Sequence, residues 1–304
     1  MSETQALPLS ASGRTALEVA IEAGRAAGRI IREGFYRPLE VHFKGQKDVV
    51  TQVDIQAERA ILDILRREYP DFGLLSEESP ERVTGSPYAW VVDPLDGTRN
   101  YASGVPHCCT VVALARNDVV VVGVTYDPFR DELFTAEEGN GAYLNGQRIQ
   151  VSRKETLEQC LVGFDLGYAD EKGRMTLEVV GKLWPALQGL RLTGSSSLGL
   201  AYAAAGRFDI YFHHRLFPWD IAAGLLLVKE AGGVVVDHRG VPGALHKESV
   251  VASSRRIVGE FLKAGAFATA AGSSLVEAKA FKEKNWAAIT AKAQAFVAAV
   301  AAVK

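Results

Sequence analysis

An apolar run that ends in two aspartates constrains this chain more than any other segment. Residues 90–92 are apolar, Asp93 and Asp96 follow three residues apart, and Gly97 and Thr98 come next. The apolar run predicts a buried strand, so both carboxylates are placed at a strand end, where they can share a cation. The Gly-Thr pair is typical of a helix start, whose free N–H groups bind anions. Asp-Pro and Asp-Gly are also common turn dipeptides, which leaves a purely structural role open at this segment.

Two further segments place acidic residues at the edge of apolar runs. Glu77 and Glu78 follow the short apolar run 74–75, and Asp220 stands at the start of the apolar segment 221–224. Taken singly, Asp220 fits a helix N-cap, and the two glutamates fit solvated loop charges. Taken together, the three acidic clusters offer the several oxygen ligands that a hard divalent cation such as Mg2+ requires. A cation site beside an anion site predicts metal-assisted chemistry on a phosphate.

Five segments of the chain, in order and spacing, resemble motifs of the inositol monophosphatase family. The two signature segments are Asp93-Pro94-Leu95-Asp96-Gly97-Thr98 and Trp219-Asp220-Ile221-Ala222-Ala223-Gly224. The other three are Asp48-Val49-Val50-Thr51-Gln52-Val53-Asp54, Ser76-Glu77-Glu78-Ser79 and Gly194-Ser195-Ser196-Ser197. The resemblance covers about residues 12–264. It implies an α+β fold, a layered αβαβα sandwich of the inositol monophosphatase and fructose-1,6-bisphosphatase type.

The resemblance also implies a role for each site residue. Two or three Mg2+ ions would be held by Glu77, Asp93, the Leu95 carbonyl, Asp96 and Asp220. Catalysis would use Glu77 together with Thr98 and Asp54, the last two as a pair that orients the attacking water. A threonine hydroxyl suits this role because it both donates and accepts hydrogen bonds. Asp54 also fits a simple helix cap, and the two roles are compatible.

Phosphate and substrate contacts follow from the same resemblance. The N–H groups of Gly97 and Thr98 would hold the phosphate. The substrate-side residues would be Lys44, Asp96, Gly194, Ser195, Ser196 and His213. Lys44 matches a family position near the site, where an ammonium group would hold phosphate or a metal-bound water. A solvated turn lysine is the alternative interpretation of Lys44.

Two residues depart from the pattern of inositol-specific family members. His213 stands where those members carry a glutamate, and a neutral imidazole offers one donor and one acceptor instead of two carboxylate oxygens. A protonated His213 would instead meet a second phosphate or a carboxylate, and a surface histidine beside His214 is the remaining alternative. Arg99 replaces the common threonine after the Gly-Thr pair, and either contacts substrate or is exposed. These departures leave inositol 1-phosphate specificity open without affecting the expected hydrolytic chemistry.

Charge and cysteine content exclude several classes of protein. The 304-residue chain has a net charge of −2 and no long basic run, which argues against a nucleic-acid partner. Its three cysteines lack C-x-x-C spacing, which indicates free thiols in a reducing cytoplasm. Neither a signal peptide nor an apolar run long enough to cross a membrane is evident. We therefore expect a cytoplasmic protein, a homodimer by family resemblance, whose partner is a small phosphate ester.

The order of predicted elements divides the chain into three parts. Residues 1–150 are expected to form an α+β domain that carries most metal ligands, with helices over 12–35 and 54–69 and antiparallel strands over 106–148. Residues 151–266 alternate strands with helices near 171–184, 196–205 and 220–231, which indicates an α/β domain that completes the site with Asp220. Residues 267–304 are expected to form an appended alanine-rich helical tail.

The tail carries an apolar stripe at helical spacing, formed by Trp286, Ile289, Ala293, Phe296, Val300 and Val303. Its segment Gly272-Ser273-Ser274-Leu275 resembles the phosphate-binding final strand and loop of 2-keto-3-deoxy-phosphogluconate aldolase. The rest of an aldolase barrel is missing, so we interpret the tail as a packing or oligomer-contact helix. Deletion of residues 267–304 is expected to leave hydrolysis intact.

These observations predict Mg2+-dependent hydrolysis of a small phosphate monoester by metal-activated water. The favoured substrates are inositol monophosphate and related sugar or polyol phosphates. Alternatives of the same fold are fructose-1,6-bisphosphatase, histidinol-phosphatase and nucleotide 3′-phosphatase activities. A non-catalytic metal-binding scaffold is the alternative of a different class, and the intact set of acidic ligands argues against it.

Overall fold

A computed structural model describes residues 6–45 and 49–266 together with Thr290. Two helices and a hairpin open this part of the chain: α1 (Ala16–Gly34), β1 (Val41–Phe43), β2 (Val49–Thr51) and α2 (Gln52–Glu68). Both helices begin with a capping box, in which the N-cap threonine and the third helical residue exchange hydrogen bonds. In α2 the N-cap is Thr51 and its partner is Asp54. Asp54 therefore caps the helix from inside its first turn, and the predicted start at Asp54 was two residues late.

A seven-stranded sheet follows, with its strands in sequence order from β3 to β9. The strands are β3 (Gly73–Ser76), β4 (Tyr88–Asp96), β5 (Cys109–Arg116), β6 (Val119–Asp127), β7 (Glu132–Glu137), β8 (Gly141–Leu144) and β9 (Gln147–Arg148). β3 pairs parallel with β4, and all later neighbours pair antiparallel. A short helix, α3 (Thr98–Ala102), connects β4 to β5. The predicted antiparallel sheet over 106–148 is confirmed.

The second sheet is five-stranded and mixed, in the order β11-β10-β12-β14-β13. Its strands are β10 (Leu161–Phe164), β11 (Gly189–Leu192), β12 (Ile210–His213), β13 (Val234–Val236) and β14 (Val250–Ser253). β10 pairs parallel with β11 and β12, whereas β14 pairs antiparallel with β12 and β13. The helices of this part are α4 (Asp170–Leu183), α5 (Ser196–Ala204), α6 (Pro218–Glu230) and α7 (Arg255–Phe261), followed by a π-helical turn over Leu262–Ala266. Strand β14 was not predicted, since its short apolar run lies among small polar residues.

Three apolar clusters stack the elements into five layers. One cluster packs α1 and α2 on one face of the first sheet, a second places α5 and α6 between the two sheets, and a third packs α4 and α7 on the outer face of the second sheet. The resulting order of layers is αβαβα, as the resemblance implied. In β4 the fully buried Trp90 belongs to the first cluster and Val91 to the second. This strand is therefore buried on both faces and fixed in register.

Strand β4 continues beyond its predicted end at Val92. It runs to Asp96, with an irregular register between Asp93 and Asp96 where it pairs with β5. Such irregularities re-aim side chains at the end of a strand. The two aspartates thus belong to the distorted end of a strand that has neighbours on both sides and not to a free loop.

The cysteines Cys108, Cys109 and Cys160 are buried free thiols, as expected. Among the described helices, none combines the length and apolar character needed to cross a bilayer. The predicted helical tail over 267–304 lies outside the described residues except for Thr290. The division of the chain near residue 150 stays a prediction.

Candidate metal and phosphate site

Three aspartates converge at the centre of the molecule. Asp93, Asp96 and Asp220 each offer a carboxylate oxygen, and the three oxygens all lie within 4.8 Å of one another. The first two come from the distorted end of β4, and Asp220 is the third residue of α6. The Oδ2 atom of Asp220 accepts a hydrogen bond of 2.7 Å from the backbone N–H of Phe217, so Asp220 closes the first turn without being the N-cap.

The electrostatics of this cluster fit a divalent cation. Burial and the nearby Glu77, Asp96 and Asp220 charges hold the pKa of Asp93 well above its usual range. Burial also raises the pKa of Asp96, although hydroxyl and N–H donors from residues 195–197 oppose this effect. The buried Asp93 and Asp96 and the half-buried Asp220 carboxylates repel one another unless a cation or a proton lies between them. An all-oxygen donor set of this kind suits the hard cation Mg2+.

Glu77 lies beside the three-aspartate cluster, outside the group of mutually close oxygens. Burial raises the pKa of Glu77 to about 7, and the Lys44 charge opposes that rise. The Lys44 ammonium lies 3.4 Å from Glu77 Oε1 and also pairs with Glu78. Lys44 is an exposed residue whose ammonium pairs with the acidic segment.

Glu58 is a buried acidic residue that the sequence analysis missed. It lies one turn after Asp54 on α2, and its side chain is 4% exposed. Its carboxylate accepts hydrogen bonds from the hydroxyls of Ser76 and Ser79 and from the Glu78 N–H at 3.1 Å. Glu58 thereby holds the segment on both sides of Glu77. A charged residue on the apolar face of a predicted helix was the available signal.

Thr98 and Asp54 meet although they lie on different elements. The Thr98 hydroxyl lies 2.9 Å from Asp54 Oδ1 and 2.9 Å from the Leu95 carbonyl oxygen. The other Asp54 oxygen accepts from the Thr51 N–H at 2.9 Å and from the Thr51 hydroxyl at 2.6 Å. Burial raises the pKa of Asp54, and the Thr51 and Thr98 donors oppose that rise. Asp54 is thus a fixed acceptor that sets the position of the Thr98 hydroxyl.

Gly97 has to be a glycine at the start of α3. Its φ is +90°, and an added Cβ would lie 3.0 Å from the His107 carbonyl oxygen and 3.2 Å from the Gly194 carbonyl oxygen. The left-handed conformation and the close backbone approach both exclude a side chain. The Asn100 amide donates to the His107 and Thr193 carbonyls at 2.8 and 2.9 Å, which ties α3 to the loop before α5.

The loop before α5 is held from two sides. Asp165, at the end of β10, accepts from the Thr193 N–H at 2.9 Å, from the Thr193 hydroxyl at 2.7 Å and from the Gly194 N–H. The loop in turn donates to Asp96 through the Ser195 and Ser196 hydroxyls. Asp165 was not recognised from the sequence, because a lone aspartate after a short strand is an ordinary feature.

One cleft contains most of the predicted site residues. It is lined by Asp96, Gly97, Thr98, Gly194, Ser195, Ser196, His213 and Asp220. Lys44 does not line this cleft and lies instead at the acidic segment. Arg99, Tyr168 and Arg215 also line the cleft, and the Arg99 guanidinium lies 4.7 Å above the centre of the Tyr168 ring.

His213 is neither exposed nor positively charged. Its side chain is 4% exposed, and burial lowers its pKa to about 3. Nδ1 accepts a hydrogen bond of 3.0 Å from the Arg215 N–H, so the single proton of the neutral ring belongs on Nε2. This corrects two of the alternatives from sequence, a surface histidine and a protonated one.

Comparison with known proteins gives consistent similarities. A sequence model described as the inositol monophosphatase family matches residues 13–271. Nus factor SuhB of Salmonella typhimurium is 41% identical over 246 residues, which span 80% of this chain and 92% of that protein. Inositol monophosphatase 2 of Solanum lycopersicum is 38% identical over 256 residues, 82% of this chain and 97% of that protein. The Thermotoga maritima IMPase structure is 35% identical with a TM-score of 0.76, covering 82% of this chain and 95% of that one.

Proposed function

The chain belongs to the inositol monophosphatase family, and from this premise we propose that it is a Mg2+-dependent phosphatase of small phosphate monoesters. The observation that carries the proposal is the cluster of Asp93, Asp96 and Asp220 oxygens beside the Thr98–Asp54 pair. A phosphate monoester needs its negative charge neutralised and a water made nucleophilic. Asp96, Asp220 and Thr98 line one cleft, and Asp93 and Asp54 contact this set from behind it.

The acidic residues are proposed to hold two or three Mg2+ ions. Asp93, Asp96 and Asp220 would be the central ligands, with Glu77 and the Leu95 carbonyl as the remaining ones. When bound, Mg2+ neutralises phosphate charge, lowers the pKa of a bound water and stabilises the leaving oxygen. The serines of residues 195–197 keep Asp96 in place by donating to both of its oxygens. Glu58 holds the segment around Glu77 in place by accepting hydrogen bonds from the Ser76 and Ser79 hydroxyls and from the Glu78 N–H.

The remaining groups position water and phosphate. Asp54 accepts the hydrogen bond that the Thr98 hydroxyl donates, so a lone pair of the Thr98 oxygen is free to accept a hydrogen bond from the attacking water. The Gly97 and Thr98 N–H groups are proposed to hold the phosphate oxygens, and the Lys44 ammonium adds positive charge at the acidic segment. The cleft that continues past Gly194 and Ser196 towards His213 would hold the alcohol part of the substrate.

The proposed substrates are inositol monophosphate and related sugar or polyol phosphates. Proteins named inositol monophosphatase at 38% identity support this class. Fructose bisphosphate, histidinol phosphate and 3′-phosphonucleotides remain candidates within the same fold. We further propose a cytoplasmic homodimer without nucleic-acid or membrane partners, which the buried free thiols support in part.

A second candidate function is a non-catalytic one. Relatives at 41% identity carry the name Nus factor SuhB, which designates a factor instead of a hydrolase. A binding role of this kind does not need the oxygen cluster. The close approach of the half-buried Asp220 carboxylate to the buried Asp93 and Asp96 carboxylates costs stability in the absence of a cation, and it therefore favours the catalytic proposal.

Phosphate release over a panel of esters tests the proposal. The panel contains inositol 1-phosphate, fructose 1,6-bisphosphate, histidinol phosphate, 3′-phosphoadenosine 5′-phosphate and NADP, each with Mg2+ or with EDTA. We expect release that requires Mg2+ and is lost in Asp220→Asn. Asp63→Asn, a change at an exposed residue of α2, is the matched control. A folded protein that releases no phosphate from any ester would contradict the proposal and favour the non-catalytic candidate.

A further inference from the structure

Each carboxylate that lines the cleft either accepts hydrogen bonds from the protein or belongs to the proposed cation cluster. Besides the loop donors, Asp165 accepts a hydrogen bond of 2.9 Å from the Tyr211 hydroxyl. Asp96 accepts from the Ser196 hydroxyl and the Ser197 N–H at 3.1 Å each, and from the Ser195 hydroxyl. Asp220 belongs to the proposed cation cluster. Within the described part of the chain, the cleft therefore offers few acceptors for the hydroxyl protons of a neutral polyol.

The cleft is instead rich in donors, beginning with Arg99. Arg99 directly follows Thr98 in α3, so its side chain starts beside the proposed phosphate position. The Tyr168 ring covers one face of the guanidinium at 4.7 Å. The five N–H groups of a guanidinium lie in its plane, so stacking on a face leaves them available to an acceptor at the edge. No carboxylate of the described residues forms an ion pair with Arg99 within 4.0 Å.

His213 adds a neutral donor to the same cleft. Its Nδ1 is occupied by the Arg215 N–H, which leaves the Nε2 proton as its donor. Gly167 keeps that edge of the ring open, because a Cβ at Gly167 would lie 2.9 Å from Cε1 and 3.2 Å from Nε2. Gly167 also has a φ of +66°, which disfavours any other residue. The backbone thus preserves space at the one free nitrogen of His213.

We propose that the cleft selects phosphate monoesters that carry a second anionic group, a phosphate or a carboxylate, bound by the Arg99 guanidinium edge with the His213 Nε2 proton as a second donor. This inference rests on the proposed phosphatase function and narrows its substrate class, because among the candidates named above it favours fructose bisphosphate and other doubly anionic esters over inositol monophosphate. An anionic oxygen accepts several hydrogen bonds at once and gains charge assistance from arginine, whereas a ring hydroxyl gains neither. Stacking on Tyr168 holds the guanidinium in place before the substrate arrives, which reduces the entropy lost on binding.

Matched substrate pairs test this selectivity. Fructose 1-phosphate and fructose 1,6-bisphosphate differ by a phosphate, and glycerol 3-phosphate and 3-phosphoglycerate differ by a carboxylate at the far carbon. At constant free Mg2+, we expect kcat/KM to be about tenfold or more higher for the doubly anionic member of at least one pair. The pair that shows the preference identifies which anion is bound. The difference is expected mainly in KM, because the second group takes no part in bond cleavage.

Variants of Arg99 test whether its positive charge causes the preference for doubly anionic substrates. Arg99→Gln should lower kcat/KM for the doubly anionic substrate at least about tenfold more than for its partner, and Arg99→Lys should retain part of the preference. Arg59→Gln, at an α2 residue whose side chain is 84% exposed, removes the same charge elsewhere and should leave the ratio unchanged. Thermal unfolding of each variant shows whether the fold is intact.

Two results would overturn the inference while leaving the phosphatase proposal in place. One is equal kcat/KM for both members of both pairs in the wild-type protein. The other is a preference that survives Arg99→Gln. Failure to hydrolyse any of these four esters or any ester of the panel above, with Mg2+ present, would instead contradict the phosphatase proposal itself.

Discussion

The Thr98 hydroxyl lies 2.9 Å from Asp54 Oδ1, although 44 residues separate the two in sequence. Thr98 stands at the start of α3, after the central strand β4, and Asp54 lies in the first turn of α2. The capping box of α2 fixes the second Asp54 oxygen on Thr51, so only one oxygen is directed at Thr98. The hydrogen bonds that cap the start of α2 therefore also position Asp54 as the acceptor for Thr98, a residue distant in sequence.

Loss of the Thr98 hydroxyl is expected to reduce turnover far more than stability. Thr98→Ala should lower kcat by roughly 100-fold or more, as is typical for groups that orient or deprotonate a reacting water. Thr98→Ser keeps the hydroxyl and should retain most activity. Steady-state kinetics at saturating Mg2+ gives the rates, and the unfolding temperature checks the fold. Comparable rates in the alanine and wild-type proteins would remove Thr98 from the mechanism.

Mg2+ is expected to raise the unfolding temperature. Binding only to the folded state adds about 2.7 kcal/mol to the free energy of unfolding when the ion is present at 100 times its dissociation constant. Asp220→Asn should abolish most of this gain, and the exposed Asp63→Asn should keep it. Differential scanning calorimetry with and without Mg2+ provides the measurement. An undiminished gain in Asp220→Asn would show that the ion binds elsewhere.

Asp93→Asn is expected to stabilise the metal-free protein while abolishing Mg2+-dependent stabilisation. The raised pKa of Asp93, caused by burial and by neighbouring carboxylates, shows that its ionised form is disfavoured in the fold without a cation. A neutral amide removes that repulsion. Chemical denaturation in EDTA, compared between variant and wild type, measures the free energy of unfolding. A less stable metal-free variant would argue against mutual repulsion in the cluster.

Glu58→Ala should weaken Mg2+ activation without touching an ion. Residues that hold metal ligands in place commonly change metal affinity 10- to 100-fold on mutation. The Mg2+ concentration for half-maximal activity should therefore rise about tenfold or more, because Glu58 fixes the segment around Glu77. Glu58→Gln, which keeps one acceptor oxygen, should be milder, and the exposed Glu81→Ala should have no effect. An unchanged activation curve in a folded Glu58→Ala protein would contradict this role.

His214 is expected to reduce stability at acidic pH. It is 6% exposed, neither ring nitrogen has a hydrogen-bond partner among the described residues, and burial lowers its pKa to about 4, with His238 and Lys172 adding to the effect. The unfolded chain binds a proton at this residue below about pH 6.5, whereas the folded one does not until about pH 4. The free energy of unfolding therefore decreases as the pH falls from about 6.5 to about 4.

His214→Phe tests this expectation. The variant should be more stable than wild type, and the difference should grow by roughly 2 kcal/mol between pH 6.5 and pH 5. Urea unfolding at a series of pH values measures the difference. A difference that does not vary with pH would mean that folding does not change the pKa of His214.

The sequence was sufficient to find site residues that lie at the ends of strands and helices. It was not sufficient to find the buried residues that hold those site residues in place. Asp93, Asp96 and Asp220 were found because each interrupts an apolar run, and α6 was predicted within two residues of its observed start. Glu58 and Asp165 were missed because their importance lies in tertiary hydrogen bonds between distant segments. The neutral state of His213 could not be predicted from the sequence either, because it depends on burial and on a backbone donor two residues away.

The origin of the Asp96 contacts has a consequence for folding. Asp96 lies on β4 of the first sheet, whereas its serine donors precede or begin α5, and Asp220 begins α6, both in the layer between the sheets. The cation cluster is complete only after that helical layer has docked onto β4. Affinity for Mg2+ would therefore report the docking of this layer, and a nascent chain that ends before α6 would contain the Thr98–Asp54 pair without a finished binding site.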